Sequence, residues 1–207
     1  YKKMLKSALL SGVKRDDRTG VGCYSLFNQS LKFDISEYFP IVTGRRIYKN
    51  IFNTEFDWFI NGETNIQRFK DNNVKIWDAW ADENGDLGPV YGHQLKNFNS
   101  QGYDQLEAVI NSLKTNPDSR RHIISLWNPN QLSEMALPPC YLYFQFFVDG
   151  DDISMFALQR SGDLFLGIPY DIALFSKLLL YVAENTGFNP KHLEMNIIDA
   201  HVYYNQV

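Results

Sequence analysis

The chain has 207 residues, enough for one domain with a sizeable hydrophobic core, and its formal charge is −4. That charge gives no general reason to bind a nucleic-acid polymer or an anionic membrane surface, although a few placed arginines could hold a small anionic ligand. No apolar run reaches the length of a membrane span. Two cysteines cannot form a disulfide framework, so a reducing, cytoplasmic location is expected.

The first half of the chain predicts helices around a pair of strands. KKMLKSALLSG predicts a short amphipathic helix ended by Gly12, and the alternation in CYSLFNQSLKFDI predicts two strands joined by a turn at Asn28-Gln29. Apolar spacing over residues 46–61 predicts a second helix. Residues 77–92 are rich in turn formers and predict a long surface loop.

The second half predicts more strands. YDQLEAVINSLKTNP predicts a helix, and HIISLWNP, YLYFQFFVDG and DISMFALQRS predict strands, the last two joined as a hairpin through DGDD. YDIALFSKLLLYVAENTG predicts the longest helix, ended by Gly187, and NIIDAHVYY predicts a final strand. Helices and strands alternate irregularly and hairpins are present, which favours a single α+β domain over residues 1–207 rather than a doubly wound parallel sheet.

The stretch LPPCYLYFQF places Cys140 between two prolines and a predicted strand. A cysteine outside a disulfide is most often a small buried hydrophobe, and catalysis requires a nearby cation that lowers the thiol pKa. The prolines fix the backbone that enters the strand. Arg160, in QRSGD near the end of the hairpin partner, could lie within reach of the thiol, although a surface arginine on an edge strand is the commoner case.

Other polar residues could bind a phosphorylated ligand. Arg120 and Arg121 stand between a helix and a strand, and Arg18 lies in the turn RDDRTG. Paired arginines suit bidentate phosphate recognition, but a solvated pair would look the same. His201 and Tyr203 lie two residues apart on one strand face and could bind a sugar hydroxyl.

Glu55 lies among aromatic residues in a predicted helix. A buried carboxylate has to be paired, protonated or functional, and a raised pKa would suit general acid–base catalysis. An alternative use of these residue types is a Cys–His hydrolase built from Cys140, His201 and Asp199. No oxyanion-hole motif is evident, however, and the arginines would have no role in such an enzyme.

Long motifs spread over essentially the whole chain resemble the thymidylate synthase family. They are RDDRTG, DNNVKIWDAWADENGDLGPVYG, NPDSRRHIIS, ALPPC, QRSGDLFLGIPYDIA and DAHVYYN. So many long matches in one order make a chance resemblance negligible. The resemblance implies an α+β fold with a large mixed β-sheet flanked by helices, and a homodimer in which sheet faces pack together.

The resemblance also implies a reaction. Cys140 would add to C6 of a pyrimidine deoxynucleoside monophosphate, and C5 would then attack the one-carbon unit of 5,10-methylenetetrahydrofolate. Arg160 would lower the thiol pKa, and Glu55 with Tyr91 would organise proton transfers through ordered water. The implied nucleotide-binding residues are Arg18, Gln159, Arg160, Ser161, His201, Tyr203 and Tyr141, with Arg120 and Arg121 donated by the partner chain. The implied folate-binding residues are Trp77, Leu137, Asp163 and Gly167, and no metal is implied.

Two positions depart from the family's pattern near the 3,4 edge of the pyrimidine. GIPYDIA carries Asp171 where the family ordinarily has asparagine, and Tyr141 replaces the histidine that follows the nucleophile. An asparagine amide matches both the N3–H donor and the O4 acceptor of uracil. A carboxylate instead accepts from the N4 amino group of cytosine and can share a proton with N3. Asp171 therefore favours dCMP as substrate, as in the family's deoxycytidylate hydroxymethylase branch, associated with viruses that carry modified cytosine; the location would then be the host cytoplasm.

The product depends on whether water or hydride reaches the methylene group on C5. Trp77 and Leu137 match shielding positions and favour the reductive, methylated product. The sequence stops soon after DAHVYYN, where family members continue into a segment that closes over folate, so this segment is expected to be missing from these 207 residues. Hydroxymethylation is expected because of Asp171. A thymidylate synthase with an unusual Asp171, a reductive dCMP methyltransferase and a binding-only descendant remain open.

Overall fold

The computed structural model describes residues 1–17 and 19–207, so Arg18 lies outside the described residues. The helices are α1 (Lys2–Ser11), α2 (Lys49–Ile60), α3 (Gln67–Asp71), α4 (Tyr91–Lys96), α5 (Gln105–Thr115) and α6 (Ile168–Thr186). The strands are β1 (Val13–Arg15), β2 (Cys23–Asp34), β3 (Ile123–Ser125), β4 (Tyr141–Asp149), β5 (Asp152–Gln159), β6 (Gly162–Asp163) and β7 (Asn189–Tyr203). Short 3₁₀ turns cover Leu132–Glu134 and Tyr204–Gln206.

Within the described residues, seven strands form one mixed sheet in the order β1-β2-β7-β5-β4-β3, with β6 also beside β7. Most neighbours are antiparallel, but β5 and β6 run parallel to β7. A parallel pair needs a crossover connection, and α6 supplies it between β6 and β7. The predicted α+β class, with a large mixed sheet flanked by helices, is confirmed.

The core lies between one face of the sheet and the helices. Helix α6 is buried on most sides because it contacts the sheet strands β5 and β7 as well as α2 and α5. The ring of Phe175 on α6 packs edge-on against Phe144 of β4, with ring centroids 5.0 Å apart. Pro169 sits in the first turn, where its missing N–H costs no helical hydrogen bond. Gly187 ends the helix in a left-handed conformation, φ 86°, as its sequence position predicts.

The predicted turn at Asn28 is wrong, because β2 runs without a break through this residue. Asn28 has a left-handed φ of 52°, which asparagine tolerates better than most residues. The side of β2 that faces the core changes there: Leu26 packs against the core before it and Leu31 after it. The paired strand β7 changes at the same level, between buried Ile197 and buried Ala200. The asparagine therefore marks a kink in a long strand rather than the end of a hairpin.

Residues 77–90 contain no helix or strand, as expected, but they are not confined to the surface. Trp77, Leu87 and Val90 are buried, and the helix α4 begins at Tyr91. The backbone N–H of Ala136 donates to the carbonyl of Leu87 at 2.9 Å. This loop consequently forms one wall of the interior beside the segment that leads to Cys140.

The opposite face of the sheet carries no helix of the described chain and holds a broad depression of about 720 Å³. Lys32, Arg120, Gln145, Phe156 and Glu194 contribute to its lining. Phe147 beside them is 68% exposed, which is unusual for a phenylalanine within a strand. None of the described helices has the length and apolar character needed to cross a lipid bilayer.

Candidate active site

A cavity of about 730 Å³ opens where β4, β5 and β7 approach the start of α6. It brings together most of the residues that the sequence singles out. Predicted site residues on its wall are Glu55, Trp77, Leu137, Cys140, Arg160, Ser161, Asp163, Gly167, Asp171, His201 and Tyr203. These residues come from segments spread over 149 positions of the chain, so the fold rather than local sequence assembles them.

Cys140 immediately precedes β4 and is held by backbone contacts on both sides. Its N–H donates to the phenol oxygen of Tyr91 at 2.8 Å, and its carbonyl accepts from the N–H of Arg160 at 2.9 Å. The guanidinium of Arg160 donates in turn to the carbonyls of Pro139 at 2.8 Å and Pro138 at 3.0 Å. The two prolines thus fix the backbone and also provide the acceptors that hold the arginine beside the thiol.

Tyr91 and Tyr141 lie one layer behind the cavity. Their rings stack with centroids 4.3 Å apart, and both side chains are buried. Burial raises the pKa of each phenol well above its ordinary value of 10, so both stay protonated. Tyr141 also packs edge-on against Phe175 in the core, with centroids 5.0 Å apart. Its ring is therefore separated from the cavity lining, whereas Tyr91 reaches the backbone of Cys140.

Glu55 projects from α2 to the cavity wall. Burial, which is the largest cause, and the negative charge of Asp171 together raise the pKa of its carboxyl from 4.5 to about 8, although the indole of Trp77 opposes the shift. A carboxyl group with this pKa is protonated at neutral pH yet loses its proton readily. Glu55 therefore has the properties of a general acid that can also act as a base.

Asp171 lies in the first turn of α6 and faces the same cavity. The side-chain amide of Gln159 donates to its Oδ2 at 2.8 Å. Burial, which is the largest cause, and the charge of Asp163 together raise the pKa of Asp171 from 3.8 to about 7, although the hydrogen bond from Gln159 opposes the shift. Gln159 itself is fully buried behind the wall, and its Oε1 has no hydrogen-bond partner among the described residues.

His201 and Tyr203 form the wall where β7 ends. Their rings meet edge-on with centroids 5.1 Å apart, and His201 Nδ1 lies 3.2 Å from the carbonyl oxygen of Asp199. The carboxylate of Asp199 accepts from Ser25 Oγ at 2.6 Å and from Arg15 at 2.8 Å. Asp199 Oδ1 also lies 3.4 Å from His201 Nδ1, so the carboxylate is shared among several groups rather than dedicated to the imidazole, which weakens the hydrolase alternative.

A smaller recess of about 190 Å³ adjoins this wall. Arg15, Ser161, His201 and Tyr203 contribute donors of the kind that bind phosphate, but the carboxylates of Asp16, Asp17 and Asp199 also line it. The predicted phosphate ligand Arg18 lies outside the described residues, and its role stays a prediction.

Arg120 and Arg121 are distant from this site within the chain. Both are exposed in the segment that precedes β3, and Arg120 lines the depression on the opposite sheet face. One copy of the chain does not bring them to the cavity that contains Cys140.

The sequence did not single out a cationic and aromatic section of the wall formed by Arg45, Tyr48 and Tyr170. Arg45 donates to the carbonyl of Phe165 at 2.6 Å, and its guanidinium lies 5.3 Å from the ring centroid of Phe165 and 5.7 Å from that of Tyr170. The adjacent arginines in GRRIYKN, just before α2, were the available signal. Ile51, Ile76, Trp80 and Leu166 complete this apolar side of the cavity.

The thymidylate synthase family profile matches residues 1–207, the full length of the sequence. The chemistry of this family is transfer of a one-carbon unit from 5,10-methylenetetrahydrofolate to C5 of a pyrimidine nucleotide, and its members are generally dimeric. With its mixed sheet and a cavity that unites the ALPPC cysteine with the QRSGD arginine, the chain belongs to the thymidylate synthase family.

Proposed function

We propose that the chain transfers a one-carbon unit to C5 of dCMP and releases 5-hydroxymethyl-dCMP. The carboxylate of Asp171 on the cavity wall carries this proposal. It faces the same space as Cys140 and Glu55, and Gln159 holds one of its two oxygens.

The nucleobase is selected by the hydrogen-bonding pattern of its 3,4 edge. Because Gln159 occupies Oδ2 of Asp171, the other oxygen remains to meet a ligand. An ionised carboxylate accepts from the N4 amino group of cytosine but repels the O4 oxygen of uracil. With its pKa raised to about 7, Asp171 also exchanges a proton with N3 at neutral pH. Polar mismatches of this kind in a desolvated site discriminate by up to ~10⁴.

The chain's own groups account for the covalent chemistry. The Cys140 thiolate attacks C6, and the cation of Arg160 beside it favours the thiolate. A proton shared between Asp171 and N3 neutralises the charge that thiolate addition places on the base. Glu55 exchanges protons through water at C5, and expulsion of the thiolate from C6 finally restores the C5–C6 double bond.

The folate supplies a one-carbon unit at the oxidation level of formaldehyde. The wall of Trp77, Trp80 and Tyr170 fits a flat heterocycle, and the carboxylate of Asp163 can accept hydrogen bonds from its N–H groups. Loss of the C5 proton would release tetrahydrofolate from the transferred carbon. Water would then add to that carbon as the thiolate leaves C6, which gives the hydroxymethyl product with no hydride transfer.

A second copy of the chain completes the site in this proposal. The sheet face opposite the helices is rich in exposed apolar area. His192 Nδ1 and Asn196 Oδ1 are buried there without hydrogen-bond partners among the described residues. A face-to-face pair of sheets would cover these groups and would be two-fold symmetric. Arg120 and Arg121, exposed beside this face, would then reach the nucleotide phosphate bound to the partner.

The second candidate is the reductive reaction of an ordinary thymidylate synthase or of a dCMP methyltransferase. Trp77 and Leu137 both line the cavity, and their bulk would keep water from the transferred carbon. This observation favours a methyl product. The contacts of Asp171 bear on the choice of base, and Asp171 supports the hydroxymethyl product through the resemblance to the deoxycytidylate hydroxymethylase branch.

One assay separates these possibilities. The enzyme is given dCMP and dUMP together with 5,10-methylenetetrahydrofolate, and the product masses are measured by liquid chromatography and mass spectrometry. We expect 5-hydroxymethyl-dCMP and unoxidised tetrahydrofolate, with Cys140→Ser inactive as the control. Rapid turnover of dUMP with negligible turnover of dCMP would end the cytosine proposal, and dihydrofolate formed in step with product would replace hydroxymethylation by methylation.

A further inference from the structure

We propose that Gln206 is a positioning residue for folate binding: its side-chain amide orients the carboxylate of Asp163 and ties it to the end of the strand that bears Tyr203. This inference rests on the proposed function, because it assumes that Asp163 faces the folate. Gln206 itself does not line the cavity and would act through Asp163.

The contacts of Gln206 use both halves of its amide. Its Nε2 donates to Asp163 Oδ2 at 2.7 Å, and its Oε1 accepts from the backbone N–H of Tyr203 at 3.1 Å. Asp163 belongs to β6, and Tyr203 is the last residue of β7. A single side chain therefore joins two strand ends that carry expected ligand-binding residues.

The other bonds of Asp163 explain why this contact matters. Asp163 Oδ1 accepts from the backbone N–H groups of Phe165 at 2.8 Å and Leu166 at 2.9 Å. A carboxylate offers about four acceptor positions, so three are occupied and the fourth is on Oδ2. Gln206 shares that oxygen with any ligand, and its N–H fixes the direction in which the remaining lone pair points.

An amide is the side-chain type that this arrangement requires. A glutamate in the same place could accept from Tyr203 but would present a second carboxylate to Asp163. A leucine of similar size could make neither bond. The two contacts require a side chain that carries one hydrogen-bond donor and one acceptor at a fixed separation, and the amide of glutamine provides both.

The surrounding turn is anchored independently of Gln206, so the amide can be tested without removing the turn. Tyr204 donates its backbone N–H to the carbonyl of Gly22 at 3.0 Å, and its ring meets that of Tyr24 edge-on at 4.8 Å. β6 is also held to β7 by backbone pairing of Asp163 with His201. Loss of the Gln206 side chain should therefore leave these backbone contacts in place, while it releases the Asp163 carboxylate and the backbone N–H of Tyr203.

The test measures ligand affinity in the 207-residue chain by isothermal titration calorimetry. Tetrahydrofolate is titrated into the unchanged protein, Gln206→Glu, Gln206→Leu and the control Asn205→Ala, whose residue is exposed in the same turn. Each titration is done in saturating dCMP and, separately, in saturating dUMP. The affinity for each nucleotide alone is measured as well.

We expect both Gln206 variants to bind tetrahydrofolate roughly tenfold more weakly, as for loss of a hydrogen bond to a charged group. Their affinity for nucleotide alone should stay within twofold, and Asn205→Ala should match the unchanged protein. Folate affinity within twofold of the unchanged protein overturns the proposal. An equal loss of nucleotide affinity also overturns it, because that result means general disruption of the turn. If dUMP rather than dCMP supports folate binding, the cytosine proposal fails while the comparison of variants still decides the role of Gln206.

Discussion

Replacing Glu55 by glutamine should make the protein less active but more stable at alkaline pH. Burial raises the pKa of this carboxyl from 4.5 to about 8 in the folded chain. The folded chain thus favours the neutral form of the Glu55 carboxyl. The stabilisation from this preference is complete at pH values below the pKa that Glu55 has in the unfolded chain. This contribution is lost as the pH rises from about 4.5 to about 8, because over this range the unfolded chain has released the proton that the folded chain still holds.

The size of this pH effect follows from the difference between the pKa values of Glu55 in the unfolded and in the folded chain. Each pH unit between 5 and 8 lowers the free energy of unfolding by about 1.4 kcal/mol through this single group. Between pH 5 and pH 9 the unchanged protein should therefore lose about 4 kcal/mol relative to Glu55→Gln, whose amide does not titrate. If Glu55 is the general acid–base group of the proposed reaction, catalytic turnover by the variant should fall by about 10²–10⁴.

Urea unfolding at pH 5, 7 and 9, at one fixed protein concentration, gives the free energies to be compared. Asp57→Asn is a matched control, because it removes a carboxylate from the same helix that does not line the cavity. Its pH profile should run parallel to that of the unchanged protein. If Glu55→Gln also runs parallel, the carboxyl is not held in its neutral form and the acid–base role inferred from burial is refuted.

Three further outcomes follow from the geometry. Asp171→Asn should move the ratio of kcat/KM for dCMP and dUMP toward dUMP by as much as ~10⁴ in a competition assay, and an unchanged ratio would contradict readout of the base edge. Tyr91→Phe should cost about 1–3 kcal/mol in urea unfolding because the buried N–H of Cys140 loses its acceptor, whereas a free energy equal to that of the unchanged protein would mean that this bond contributes nothing. Gly88→Ala should lower the free energy of unfolding by more than about 1–3 kcal/mol. Gly88 has a left-handed φ of 73°, and an added Cβ would also overlap a backbone carbonyl oxygen. Gly102 has a similar φ of 72°, but an added Cβ would have no neighbouring atom within 4 Å, so Gly102→Ala should lower the free energy of unfolding by less. Equal losses in the two variants would show that only the backbone conformation matters.

The elements with strong patterns were predictable from sequence. The β4–β5 hairpin and α6 carry regular apolar spacing, with Gly150 in the hairpin turn and Gly187 at the end of the helix, and both form where expected. Asn28 misled the prediction because a left-handed asparagine occurs in turns and in strand kinks alike, and only the long pairing of β2 with β7 decides between them. β3 is short for a similar reason, since its length depends on how far β4 can pair with it.

Site residues that stand in long motifs could be predicted from the sequence. Residues whose position depends on tertiary packing could not. Cys140 and Arg160 reach one cavity because adjacent strands bring their motifs together. Tyr141 follows the cysteine directly, yet it lies in the core with Phe144, because the pairing of β4 with β5 shifts register between Tyr141 and Tyr143. Arg45 lines the cavity only because a loop distant in sequence folds against Phe165 and Tyr170, and no local pattern encodes such a contact.

The place of β7 in the sheet has a consequence for biosynthesis. This strand is central, between β2 and β5, but the ribosome makes it after the strands on either side of it. The edges of β2 and β5 stay open while some 40 residues beyond β5 are translated, and unpaired edges invite aggregation. Nascent chains arrested before residue 189 should accordingly engage chaperones, and release of the full β7 should end that dependence.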